Sequence, residues 1–220
     1  MLYVTDLLDL EHTLAAPLFE GVRYPWQVLP EIGAFVRGLG EKLSPDEYLS
    51  PAPLVWIHKS AVVAPSASIT GPCIIGPETE VRHCAFIRGN ALVGAGAVVG
   101  NSTELKNVIL FDGVQVPHYN YVGDSVLGYR AHLGAGAITS NVKGDRTLVA
   151  VKHAGGVIET GLKKFGAILG DFVEVGCNAV LNPGTVIGRM SMVYPLTSVR
   201  GVVPERSILK HTGEIVAKRG

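Results

Sequence analysis

The chain has a period of six. From Ile57 it divides into IHKSAV, VAPSAS, ITGPCI, IGPETE, VRHCAF, IRGNAL, VGAGAV and VGNSTE, and Leu105 opens the next unit. Nine consecutive units begin with Ile, Val or Leu, and the fifth position is usually small: Ala61, Ala67, Cys73, Thr79, Ala85, Ala91, Ala97, Thr103. An amphipathic helix would need i, i+3, i+4 spacing, which this stretch lacks. The period predicts a coil with three short flat faces per turn. One aliphatic residue per face points inward and stacks on its equivalent eighteen residues later. The small residue lets the chain turn at the corner, and glycines supply the unusual backbone angles. Rungs then hydrogen-bond at the strand spacing of about 4.8 Å. One unit cannot bury its aliphatic residue alone, so only the array is stable.

The register slips by one residue at LKNVI (105–109) and again at VGDSV (122–126), on either side of His118. It breaks near Asn141 and returns at Leu169 with LGDFVE, VGCNAV, LNPGTV, IGRMSM and VYPLTS. Irregularities in a regular coil often carry function. The insertion at 142–168 contains TLVAV and GVIET around a Gly-containing turn, which predicts a hairpin projecting from the coil. It holds Lys143, Arg146, Lys152, Lys163 and Lys164 against Asp145 and Glu159. That excess of cations suits a phosphate, and suits a solvated loop equally. Outside the coil (51–205), residues 1–50 are helical around PWQVLPEIGAFVRGLGEKL, and 206–220 read as a short hairpin turning at HTG.

Composition narrows the classes. At 47% hydrophobic and 17% charged, the chain can bury a real core. Nineteen basic and nineteen acidic residues cancel, so no nucleic-acid partner is expected. Cys73, Cys84 and Cys177 are odd in number and form no CxxC, which fits a reducing, cytoplasmic setting. The start, MLYVTDLLDLEH, carries Asp6, Asp9 and Glu11 and reads as no signal peptide. No apolar run approaches the length of roughly eighteen residues that marks a membrane span.

Of the seven histidines, His83 and His118 lie 35 apart, as do two zinc ligands of the carbonic anhydrases built on such coils. A third ligand would follow five residues on, where Gly123 stands, so no metal is expected. No GxSxG elbow, GxxxxGK[ST] loop or helix-opening GxGxxG occurs. General base catalysis by a histidine is what remains, because imidazole titrates near neutrality and an activated thioester needs no covalent intermediate. His118 is the candidate, with a packed or surface histidine as the alternative.

The stretch HYNYVGDSVLGYRAHLGAGAITSN makes the pattern specific. It resembles the acetyltransferase domain of bifunctional N-acetylglucosamine-1-phosphate uridyltransferases, whose motif runs His-x-x-Tyr-x-Gly-Asp, then Ile-Gly-Ala-Gly-Thr, then Asn. The resemblance covers about residues 57–205 and both register slips. It implies an all-β solenoid, a left-handed parallel β-helix, working as a homotrimer with sites between subunits. It implies an N-acetyltransferase that uses acetyl-CoA, without a metal, on an amino-sugar 1-phosphate in nucleotide-sugar biosynthesis. The family's base falls on His118, its supporting glutamate on Glu104 and its acetyl-group asparagine on Asn141. Arg88, Lys106 and Lys164 fall on the sugar-phosphate cations and Tyr121 on the sugar-site tyrosine. Ala135 and Cys177 fall on the acetyl-CoA groove.

The chain departs from the family at several positions. A sugar-site asparagine is His132, a groove serine is Cys177, and the family's CNYDG is SNVKG. These leave the sugar open. TGLKKFGAILGD in the insertion is similar to archaeal-type sugar-phosphate nucleotidyltransferases with a fused acetyltransferase. YPWQVL resembles the segment that follows the nucleotidyltransferase domain in the fused enzymes, while their Gly-rich nucleotide loop is not among these residues. The expectation is the acetyltransferase half without pyrophosphorylase activity. The alternatives are a non-catalytic sugar-nucleotide-binding or assembly module, and O-acyl transfer to a sugar hydroxyl.

Overall fold

The computed structural model describes residues 2–219; Met1 and Gly220, at the outer ends of the two terminal segments, lie outside the described residues. The six-residue period folds, as expected, into a left-handed parallel β-solenoid. The first face stacks Val55–His58, Cys73–Ile75, Ala91–Val93, the latter halves of Glu104–Leu110 and Tyr121–Leu127, then Ala167–Leu169, Thr185–Ile187 and Val202–Val203. The second stacks Val62–Val63, Glu80–Val81, Val98–Asn101, Gln115–His118, His132–Leu133, Glu174–Val175, Met192–Val193 and Ser207–Leu209. The third runs from Ser68–Ile69 and Phe86–Ile87 through the first halves of the two long strands to Ile138–Thr139, Val180–Leu181 and Ser198–Val199.

The unit-opening aliphatics stack as the period requires. Ile57 pairs with Ile75 and Ile75 with Val93, at steps of eighteen. Ile75, Val81, Ile87, Val93, Val99 and Leu105 are all buried, as are the small residues Cys73, Thr79, Ala85, Ala91, Ala97 and Thr103. Each large aliphatic contributes roughly 1.5–3 kcal/mol by leaving water. The buried hydroxyls of Thr79 and Thr103 donate to the carbonyls of Gly94 (2.7 Å) and Val116 (2.9 Å), which offsets their desolvation.

Both register slips fall at the corner between the third and first faces. In a full unit Gly89 and Asn90 both take positive φ there. The shortened units keep one such residue, Asn107 (φ 56°) or Asp124 (φ 48°), types that tolerate the left-handed region. With the corner cut, Glu104–Leu110 and Tyr121–Leu127 run on as seven-residue strands and pair along both faces. Inward neighbours drop to seventeen apart, Leu105 on Val122 and Leu110 on Leu127. The insertion opens at the same corner one rung later, where the Phe165 amide closes it on the Asn141 carbonyl at 3.0 Å.

The insertion is the expected antiparallel hairpin, Val149–His153 with Gly156–Leu162. It does not project. Val149 and Val151 are buried, and their strand lies down over the next two corners of the coil. Those corners are Gly184 (φ 81°) and Gly201 (φ 76°). A Cβ on Gly184 would stand 2.8 Å from Val149 Cγ1, and one on Gly201 2.6 Å from the Lys152 carbonyl oxygen. The alternating apolar edge of the strand needs cover, and two corners without side chains let it approach.

The N-terminal segment forms a single helical turn at Val4–Leu7, short 3-10 turns, and a longer helix, Ile32–Gly40, inside the stretch expected to be helical. It covers the first face. The outward residues along the middle of that face, Ile74, Leu92, Ile109, Val126, Ile168 and Val186, are all fully buried, and Trp56 and Val202 at its two ends are half-buried. Trp26 stacks on Phe165 with ring centroids 5.8 Å apart, and Phe19 meets Phe111 edge-on. At the ends of the coil, Tyr48–Ala52 pairs antiparallel with Val55–His58 and Ile215–Ala217 with Ser207–Leu209. The second pair is the expected C-terminal hairpin, and both satisfy strand edges that would otherwise be open. Among the described residues no helix is long and apolar enough to cross a membrane.

Candidate active site

His118 stands at the corner between the second and third faces. The rungs below it stack there through backbone bonds: Gly136 N to His118 O (3.0 Å), Asn178 N to Ala135 O (2.8 Å) and Leu196 N to Cys177 O (3.0 Å). His118, Ala135 and Cys177 therefore lie along one corner on consecutive rungs. Buried Asn120 holds the turn. Its Oδ1 accepts from the His118 amide at 3.1 Å, and its Nδ2 donates to the carbonyls of Gly134 (2.8 Å) and Ala137 (3.0 Å). The His118 side chain is exposed, and the small side chains below it leave the corner open.

Across the narrow third face, the slipped corner gathers a second set. Asp124 is 4% exposed. Its carboxylate accepts from Lys106 Nζ (3.2 Å to each oxygen), from Asn107 Nδ2 (3.0 Å) and from Asn141 Nδ2. Asn141 Nδ2 also lies 3.3 Å from the Tyr121 hydroxyl. Burial pushes the Tyr121 phenol up, and the charges of Asp124 and Glu104 push the same way, so it stays a protonated donor. One rung up, Arg88 Nη1 reaches Glu104 Oε1 at 2.7 Å.

The structure thus brings together Lys106, Tyr121 and Asn141, with Arg88 and Glu104 beside them. It returns Lys164 to the same corner, because the next residue closes on Asn141. Within one chain it sets His132 apart, on the second face, with Nδ1 2.7 Å from Glu174 Oε2. The Glu104 carboxylate is taken up by Arg88. Asp124 is the residue that the sequence reading left without a role. The available signal was its place in a five-residue unit, since a shortened corner puts Asn107 and Asp124 on adjacent rungs.

A family model described as the GMPPB C-terminal domain matches residues 69–192, more than half of the 220. The chain belongs to that family. Among curated relatives, this GMPPB C-terminal-type coil is 32% identical over 197 residues to the bifunctional protein GlmU of Methanococcus maripaludis, covering 89% of this chain and 48% of that protein. It is 29% identical over 160 residues to a bifunctional sugar-1-phosphate nucleotidylyltransferase/acetyltransferase of Sulfurisphaera tokodaii, covering 64% of this chain and 40% of that protein. The chain spans about half the length of these curated relatives. A solved hexapeptide transferase family protein of Anaplasma phagocytophilum aligns at TM-score 0.44 and 16% identity over 76% of this chain and 80% of that one.

Proposed function

We propose that the chain is an acetyl-CoA-dependent N-acetyltransferase whose acceptor is an amino-sugar 1-phosphate of the glucosamine or galactosamine class. The observation that carries this reading is the juxtaposition of two corners across one narrow face. One holds an exposed histidine above small residues; the other holds lysine, tyrosine and asparagine gathered on a buried carboxylate. Relatives named as GlmU and as a sugar-1-phosphate nucleotidylyltransferase/acetyltransferase support the chemistry.

In this reading Arg88, Lys106 and Lys164 receive the phosphate, and Tyr121 faces the sugar. The acceptor amine attacks the thioester carbonyl carbon. His118 takes the proton from the nitrogen, the carbon–sulfur bond breaks, and the departing coenzyme A sulfur is protonated. Asn141 donates to the Tyr121 hydroxyl (3.3 Å) and so leaves the phenol hydrogen free to point toward the acetyl oxygen, where negative charge develops. Ala135 and Cys177 line the run of the pantetheine below the histidine. Glu104, held by Arg88, sets the charge near the base. The active assembly is a homotrimer, because the second and third faces carry exposed Val62 and Phe86, Leu196 is exposed at the corner between them, and a second chain would complete the open side of the site.

The test is thiol release from acetyl-CoA with glucosamine-1-phosphate and galactosamine-1-phosphate in parallel. His118→Ala is expected to lower kcat by about 10²–10⁴-fold with the oligomer intact. An unchanged rate would remove His118 as the base, and thiol release without an amino acceptor would remove the transfer.

A further inference from the structure

The inserted hairpin walls a cavity of about 400 Å³ on the slipped corner, lined by Ser140, Lys143, Lys152, Asn182 and Arg200 among others. Its volume is in the range of small-molecule sites. It adjoins the site directly, since Ser140 and Lys143 flank Asn141 and Val142 in the chain. The charge is uneven. Arg88 is balanced by Glu104, Lys106 by Asp124 and Lys143 by Asp145 (3.5 Å). Lys152 and Arg200 have no hydrogen-bond or ion-pair partner among the described residues. The cavity wall therefore holds two uncompensated cations beside the Lys143–Asp145 ion pair and neutral polar groups. Asn182 Nδ2 is spent on Ser198 Oγ (3.0 Å) and the Val199 carbonyl (2.8 Å), which leaves its Oδ1 to accept a hydroxyl.

We infer that this cavity binds the diphosphate of a nucleoside diphosphate, which widens the acceptor class from the amino-sugar 1-phosphate to nucleotide-linked amino sugars. A diphosphate diester carries two negative charges, which match Lys152 and Arg200. The ribose hydroxyls supply donors for Asn182. The cavity lies on the corner of Lys106 and Asn141, away from the corner of His118, Ala135 and Cys177, so it serves the acceptor rather than coenzyme A. The hairpin is what builds it: Val149 and Val151 pack on the coil and hold Lys152 over the Gly201 corner. The inference deepens the acetyl-transfer reading and rests on it for the acceptor's role, but the binding it requires is independent of turnover.

The experiment is calorimetric titration of the full chain with inorganic pyrophosphate, uridine diphosphate, guanosine diphosphate and coenzyme A. Wild type, Lys152→Ala/Arg200→Ala and Arg200→Glu are compared, each checked for an unchanged Tm. Both altered side chains are exposed, so the fold is expected to persist. Pyrophosphate and at least one nucleoside diphosphate should bind wild type and weaken at least about tenfold in both variants, with coenzyme A affinity unchanged. Equal diphosphate binding by wild type and variants overturns the inference. So does a loss confined to coenzyme A, which would make the cavity part of the donor site. Diphosphate binding without thiol release would instead retire the transferase reading and leave the cavity standing.

Discussion

The first face and the third face are built from the same repeat and end in opposite surroundings. Outward residues on the first run from Trp56 through Ile74, Leu92, Ile109, Val126, Ile168 and Val186 to Val202, an unbroken apolar column, fully buried from Ile74 to Val186 and half-buried at its two ends. Outward residues on the third are Ser68, Phe86, Glu104, Tyr121, Ile138, Val180 and Ser198, and none of them is buried. The inward positions are equivalent in both, so the coil itself does not distinguish them. What differs is the last position of every third unit. Where it is always apolar, the chain covers the face with its own segment; where it is mixed, the face stays open and carries Glu104 and Tyr121 of the candidate site. A strand buried on both sides reads as an apolar run, CII, ALV or AIL, and one buried on a single side does not.

The sharpest contrast is chemical. Cys73 lies in the covered face at 0% exposure, and burial pushes its thiol up to about 12. Cys84 and Cys177 are exposed at the corner bordering the third face. Alkylation of the native protein should stop at two thiols, the third reacting only in denaturant. A fast third thiol would mean that the cover opens. Next, Trp26→Ala removes the ring between Tyr24 and Phe165 on the covered side and should cost about 3–5 kcal/mol, read as a lower midpoint in urea. Phe86→Ala on the open side should cost within about 0.5 kcal/mol in the single chain, its effect appearing instead in sedimentation if that face meets another copy. Equal losses would erase the distinction between the faces.

An effect smaller than that of Trp26→Ala is expected where cover and site meet. Asn107 Nδ2 donates both to Asp124 and to the carbonyl of Leu29 in the N-terminal segment, at 3.0 Å each. Asn107→Ala leaves both acceptors short of a donor and should cost about 1–3 kcal/mol. Because Asp124 also gathers Lys106 and Asn141, kcat for the proposed acetyl transfer should fall with it. Lost stability at an unchanged kcat would show that the bridge only fastens the segment.

Much of this was legible beforehand. The register of inward aliphatics, both slips, the two hairpins and the helical stretch before the coil are read directly, because each depends on residues close together in the chain. Placement of the insertion was not. Val149 and Val151 announce one apolar edge, but the glycines that receive it, Gly184 and Gly201, come at least 33 residues later. Asp124 lacked a role for the same reason, since its partners lie 17 or 18 residues away on neighbouring rungs.

The sequence by itself determined that this chain coils in units of six and where the coil is irregular, because an inward aliphatic and a small corner residue act within one unit. The tertiary structure decided which corner each irregularity occupies. A corner is set by the running count of units modulo three, and the stacking of rungs then sums side chains that are distant in sequence. That stacking put Asn107, Asp124 and Asn141 on one edge, laid the hairpin along it, and left His132 on another face.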